Sequence, residues 1–184
     1  MARIPYVDPD SPATPAAVRE AFAGLAVKLN IFKLVAHAET CFRPFLRLGG
    51  AILSRQALSG KLRELAILRV AKLSSAPYEW VQHVPIAKHT GATEEQIAAL
   101  DRGDAEAPCF DDTERLVLRF TDEVVRSVRA SDATFAALAA KLPPREVVEL
   151  LLAIGFYMTV ARVMESCAID LDPPAGDRVV ASIR

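Results

Sequence analysis

A disulfide scaffold is the first thing this sequence lacks the means to build. Its 184 residues hold three cysteines, Cys41, Cys109 and Cys167, an odd number with no close pair. That argues against a Cys-x-x-Cys redox motif or a zinc ribbon and predicts three buried small hydrophobes. Charge of one sign is also missing. With 22 basic residues against 23 acidic ones, the formal net charge is -1. Neither nucleic acid nor an anionic membrane surface is expected as a partner, because no basic footprint is left over to meet one. Charged residues reach 24%, too few for a disordered polyelectrolyte, while apolar residues reach 52%. Long apolar runs are scarce too. The longest, Leu150 to Ala161, is closed by Glu149 and Arg162; it reads as a core helix too short to span a bilayer. Met1 to Tyr6 lacks the apolar stretch of a signal peptide, so the expected compartment is the cytoplasm.

What is present is helical periodicity within a length suited to one domain. Residues 1–14, with Pro5, Pro9 and Pro12, read as an extended N-terminal arm. Residues 15–172 read as an all-α domain, and residues 173–184 as a C-terminal tail that packs on a neighbouring subunit or frays. A first helix is expected from Pro15 to Ala26, capped by Thr14, with Asn30 breaking the pattern. A second runs from Glu39 to Leu53 with Phe42, Phe45, Leu46, Leu48 and Ile52 as its apolar residues, and Gly49-Gly50 inside it weakens it or admits another backbone. Lys61 to Leu73 is nearly all apolar and reads as a buried helix. Ser74-Ser75-Ala76 makes a tight turn into a helix from Tyr78 to His89, stopped by Gly91. Thr93-Glu94-Glu95-Gln96 has the spacing of a capping box for a short helix to Leu100. Further helices are expected from Asp111 to Val128, with Val128 inward, from Ser131 or Asp132 to Leu142, and from Arg145 to Ile169.

Chemistry concentrates in Tyr78-Glu79-Trp80-Val81-Gln82-His83. Glu79 and His83 stand four apart and share a helix face, where a carboxylate can fix the imidazole tautomer and support proton transfer near neutral pH. Pro85 inside the same helix removes the partner of the Val81 carbonyl and predicts a kink. Glu64 reaches the same region from the preceding buried helix. An ordinary surface ion pair between Glu79 and His83 is the plain alternative. Elsewhere, His37 and Cys41 are four apart but lack a third group. Glu64, Glu79, His83 and His89 have no recognised zinc spacing, so no metal is expected. Arg162 and Glu165 read as a structural or interfacial pair.

Arg63-Glu64-Leu65, then Tyr78 to Ala87, Gly91 and Glu94-Glu95-Gln96-Ile97 resemble the carboxymuconolactone decarboxylase family, which includes the AhpD-like alkylhydroperoxidases. The match is close from Leu62 to Leu100. The resemblance implies an AhpD-like helical bundle that forms a homo-oligomer, a trimer or hexamer, and needs no cofactor. Peroxidase members carry a Cys-x-x-Cys pair between the Glu and the His. Here Ala76 and Glu79 stand in those positions, and neither can form a thiolate or resolve a sulfenic acid. The resemblance therefore points to the decarboxylase side. Glu64, Glu79 and His83 are the implied catalytic residues, with His83 as general acid/base, Glu79 orienting it or sharing its proton, and Glu64 positioning substrate or water. Tyr78 and Trp80 are the candidate substrate contacts, and the substrate is a small carboxylated or enolisable molecule. Two alternatives stand beside this lyase-like reading: a hydroperoxidase working through Cys41, and a non-catalytic oligomer that binds a small ligand.

Overall fold

The computed structural model describes residues 1–182, apart from the side chains of residues 177, 181 and 182. Among the described residues there are ten helices and no strand: α1 (Ala16–Ala23), α2 (Asn30–Val35), α3 (Glu39–Ser54), α4 (Gly60–Leu73), α5 (Pro77–His89), α6 (Glu94–Asp101), α7 (Asp112–Ser127), α8 (Asp132–Ala139), α9 (Pro144–Ser166) and α10 (Gly176–Ser182). The all-α expectation holds, and the site follows from how these helices surround α4.

Every residue of α4 from Arg63 to Ala71 is buried, because α5, α7 and α9 pack around it. A helix enclosed on all sides leaves no face to solvent, and the charged residues it buries, Arg63, Glu64 and Arg69, are each paired. Its last turn closes tightly. Ser75 takes a left-handed conformation (φ 50°), and the Ala76 amide donates to the Ala71 carbonyl at 2.9 Å. That turn folds α5 directly back along α4. At its far end α5 stops at Gly91, whose φ of 102° suits a residue without Cβ. The expected capping box at Thr93 and Gln96 is formed, and a second one joins Asp111 to Glu114.

Helix α9 is 23 residues long with a mean hydropathy of 1.8 over its most apolar 18 residues, so by length and composition it could cross a bilayer. The sequence reading took only its central run and judged it too short. In the fold, one side of α9 is buried against α4, including Leu150, Ala153, Ile154, Tyr157, Val160, Ala161 and Met164. The other side leaves Val148, Leu151 and Leu152 exposed.

Several expectations are corrected. Helix α1 ends at Ala23, not Ala26, and Thr14 does not cap it; the Thr14 hydroxyl donates to the Asp8 carbonyl at 2.7 Å. Asn30 begins a short helix where the sequence reading saw only a break. Its amide donates to Asp172 Oδ2 at 2.6 Å and its side chain to the Asp170 carbonyl. Gly49 and Gly50 leave α3 unbroken, and what approaches Gly49 is the Phe156 ring. Leu48 and Val128 are exposed, Val128 because it ends α7 in a left-handed conformation. Cys41 is exposed and the other two cysteines are only partly covered. The N-terminal arm docks on the far end of α9: the Arg3 amide donates to the Cys167 carbonyl and the Tyr6 hydroxyl to Asp170.

The C-terminal segment is the largest departure. Up to residue 182 it neither frays nor extends away, but forms α10 against α5 and α3; residues 183–184 lie outside the described residues. Gln82 anchors it, accepting from the Ala175 amide at 2.9 Å and donating to the carbonyls of Asp172 and Pro173. A Cβ on Gly176 would lie 2.0 Å from the Gln82 carbonyl oxygen. Gly176→Ala is therefore expected to lift this segment from α5 at a cost of roughly 1–3 kcal/mol. Limited trypsin digestion should then cut at Arg178 faster than in the wild type, and equal rates would contradict the contact.

Candidate active site

The turn between α4 and α5 brings Glu64 and His83 together. Glu64 is fully buried and accepts from Arg63 Nε at 2.9 Å through one oxygen. Its other oxygen lies 2.8 Å from His83 Nδ1. Arg63 and His83 are themselves only 5% and 6% exposed. A carboxylate at Nδ1 accepts an N–H, so in the neutral ring the proton sits on Nδ1 and Nε2 keeps its lone pair. The sequence reading assigned the orienting role to Glu79, on the helical spacing. The geometry gives that contact to Glu64.

Glu79 occupies a different environment. It is 1% exposed, and neither carboxyl oxygen has a hydrogen-bond partner. Burial, with smaller contributions from Glu64 and Glu165, pushes its carboxyl well above the usual range, which favours the protonated form, a potential donor. The folded state then holds a proton that the unfolded chain releases once pH passes the ordinary carboxyl value. Stability falls as pH rises from there through the raised folded value. Glu79→Gln removes that proton. The variant's stability relative to wild type is expected to climb with pH above about 4.5, by at most about 1.4 kcal/mol per pH unit. Urea unfolding at a series of pH values checks this, and a constant difference would contradict a neutral Glu79.

Both residues line a cavity of about 120 Å³ between α3, α5, α9 and the C-terminal segment. Its walls are mostly aliphatic and aromatic, with Leu29, Phe45, Leu46, Phe156 and Val160 among them. Tyr78 lines it as expected, but its hydroxyl is turned to Asp172. Trp80 does not. It packs on the opposite side of α5 with Val84, Ala87 and Leu68, and Lys72 Nζ lies 6.0 Å from its ring centre. Tyr157 was missed by sequence reasoning. Its ring meets the His83 ring edge-on with centroids 4.6 Å apart, and burial, then Glu64 and Glu79, raise its hydroxyl well above the ordinary value. The only signal for it was a phenol inside the most apolar helix.

The other candidates do not assemble. His37 Nε2 binds the Pro5 carbonyl at 2.7 Å and makes no bond to Cys41. His89 is exposed. Among the described residues, no group of three or more His, Cys, Asp or Glu is placed to hold a metal. Arg162 and Glu165 are exposed, and Arg162 donates to the Met158 carbonyl instead of pairing with Glu165.

Comparison with known proteins agrees with this architecture. The Carboxymuconolactone decarboxylase family model matches residues 40–123, which include Glu64, Glu79 and His83. No curated protein matches the chain. An uncharacterized peroxidase-related protein from a Silicibacter species has 17% identity and a TM-score of 0.78, covering 100% of this chain and 96% of that one. The AhpD core of an uncharacterized peroxidase-related protein from Ralstonia eutropha has 19% identity and a TM-score of 0.77, again covering 100% and 96%. The debrominase Bmp8, in complex with 2,3,4-tribromopyrrole, has 16% identity and a TM-score of 0.73, covering 99% and 97%. At these identities the likeness is one of fold, while the family match rests on the sequence around the site. Residues 40–123 thus match the carboxymuconolactone decarboxylase family, within a chain that has the all-helical AhpD-like fold.

Proposed function

We propose that this protein is a small-molecule enzyme that moves a proton at a carbon next to a carbonyl group. The observation that carries the reading is the buried Glu64–His83 hydrogen bond at the wall of an apolar cavity, beside a carboxyl group with no partner. In this mechanism His83 Nε2 takes the proton from the α-carbon. Glu79 donates a hydrogen bond to the carbonyl oxygen as charge develops there, and the imidazolium returns the proton to carbon. Glu64 holds the ring in place through the bond at Nδ1. The lyase-like step that the family resemblance implies, protonation of an enolate left by loss of carbon dioxide, would call on the same groups but would require a carboxylate to enter this apolar cavity. Neither route needs a cofactor. Deuterium incorporation from D₂O into a panel of cyclic ketones and lactones, followed by NMR, tests the reading. Incorporation above that of the heat-unfolded protein is the expected result, and none across the panel would overturn it.

A peroxidase reading has less support. Ala76 is a buried methyl group, and Cys41 lies outside the cavity. The homo-oligomer is supported by the exposed row Val148, Leu151 and Leu152 on α9, an apolar stripe at helical spacing. Sedimentation velocity should show a species heavier than the 20.0 kDa chain, and Leu152→Glu should shift it toward the monomer. A wild-type protein that sediments only as a monomer would contradict the proposal.

A further inference from the structure

The wall of the cavity also bears on what enters it, a question that rests on the acid/base reading above. Among the described residues, no Lys or Arg lines the cavity. Arg63, the buried cation of the site, is engaged with Glu64. Among the polar groups at the wall, the Tyr78 hydroxyl is spent on Asp172, and both ends of the Gln82 amide are spent on the C-terminal segment. That leaves Glu79, His83 Nε2 and the Tyr157 hydroxyl to meet a ligand.

We infer that the site takes a neutral, largely apolar carbonyl compound, with Glu79 as the group that recognises its oxygen, and that it excludes carboxylates. An anion entering this cavity would lose its hydration and gain no counter-ion. With Arg63 already paired to Glu64, the cluster carries no net charge while the His83 ring is neutral, the form in which it serves as the base. A neutral carbonyl has no such penalty. Its oxygen can accept from the Glu79 carboxyl, whose two oxygens are otherwise buried without partners. The cavity of about 120 Å³ is close to the size that accommodates benzene, which limits the ligand to roughly six to eight non-hydrogen atoms.

Calorimetric titration with two probes of equal non-hydrogen atom count, cyclohexanone and cyclobutanecarboxylate, tests this at pH 7.5. Cyclohexanone is expected to bind at least tenfold more tightly. Glu79→Leu should weaken cyclohexanone by about 3–10-fold, the worth of one hydrogen bond. Glu79→Gln, which keeps a donor, should stay within about twofold of wild type. The inference is overturned if the carboxylate binds as well as the ketone, if neither binds, or if Glu79→Leu leaves ketone affinity unchanged. These are binding readouts. A preference for the ketone without deuterium incorporation would remove the proton-transfer reading alone, whereas incorporation with equal binding of both probes would remove only this inference.

Discussion

His83→Gln is expected to slow deuterium incorporation into a responsive ketone by about 10²–10⁴-fold, the usual contribution of a positioned general base. Glutamine is close in size to the imidazole and offers polar atoms to Glu64, so the buried contact at 2.8 Å has a replacement. Its amide cannot accept a proton from carbon at neutral pH. The loss should therefore fall on turnover, with ketone affinity changed by less than about tenfold, since Glu79 supplies the bond to oxygen. Parallel calorimetry and exchange kinetics separate the two quantities. If exchange persists within about threefold of wild type, the base lies elsewhere.

Glu64→Ala should be the most destabilising single change in the site. Glu64 is fully buried and is bonded to both the Arg63 guanidinium and the His83 ring. Truncation strands a guanidinium that is only 5% exposed. Breaking a buried pair by removing one partner typically costs about 3–5 kcal/mol, because the remaining charge keeps its desolvation penalty. Urea unfolding should show a loss of that order. Glu64→Gln should recover part of the stability, since the amide oxygen can still accept from Arg63. It should not recover turnover, because the amide can donate to Nδ1 as readily as accept from it and so no longer selects one tautomer. A loss below about 1 kcal/mol for Glu64→Ala would mean that Arg63 finds another partner, and the account of the pair would be wrong.

Local signals explain what was legible in the sequence. The burial of α4 is announced by its unbroken apolar run Leu65 to Leu68, and Thr93 with Gln96 forms a cap because its partners lie three residues apart. The turn at Ser75 and the stop at Gly91 are likewise local. Helix α2 was not legible, because Asn30 is held by Asp170 and Asp172, which lie 140 and 142 residues away. The C-terminal segment was misread for the same reason: nothing near residues 173–182 indicates that Gln82 receives them, and a small residue at Gly176 is a weak sign of backbone contact.

The candidate site was half legible. Glu64, Glu79 and His83 could be named, but helical spacing favoured the Glu79–His83 pair over the contact across two helices. On α5 that spacing does put both residues at the cavity. Which carboxylate reaches the ring depends on the angle at which α4 crosses α5, and sequence does not state it. Trp80 was drawn in by proximity in sequence, although one step along a helix from Glu79 turns a side chain to another face. A carboxylated substrate was expected from the resemblance; the absence of Lys and Arg from the cavity wall among the described residues favours a neutral one.

The central claim is that Glu64 fixes the His83 proton on Nδ1 and leaves Nε2 as the base. It can be tested without a substrate. In protein labelled with ¹⁵N at histidine, long-range ¹H–¹⁵N correlation spectra, assigned by comparison with His83→Gln, report the tautomer once pH is high enough for the ring to be neutral. The expected result is a protonated Nδ1 and a bare Nε2. A ring protonated on Nε2 would contradict the account, since no lone pair would then face the cavity.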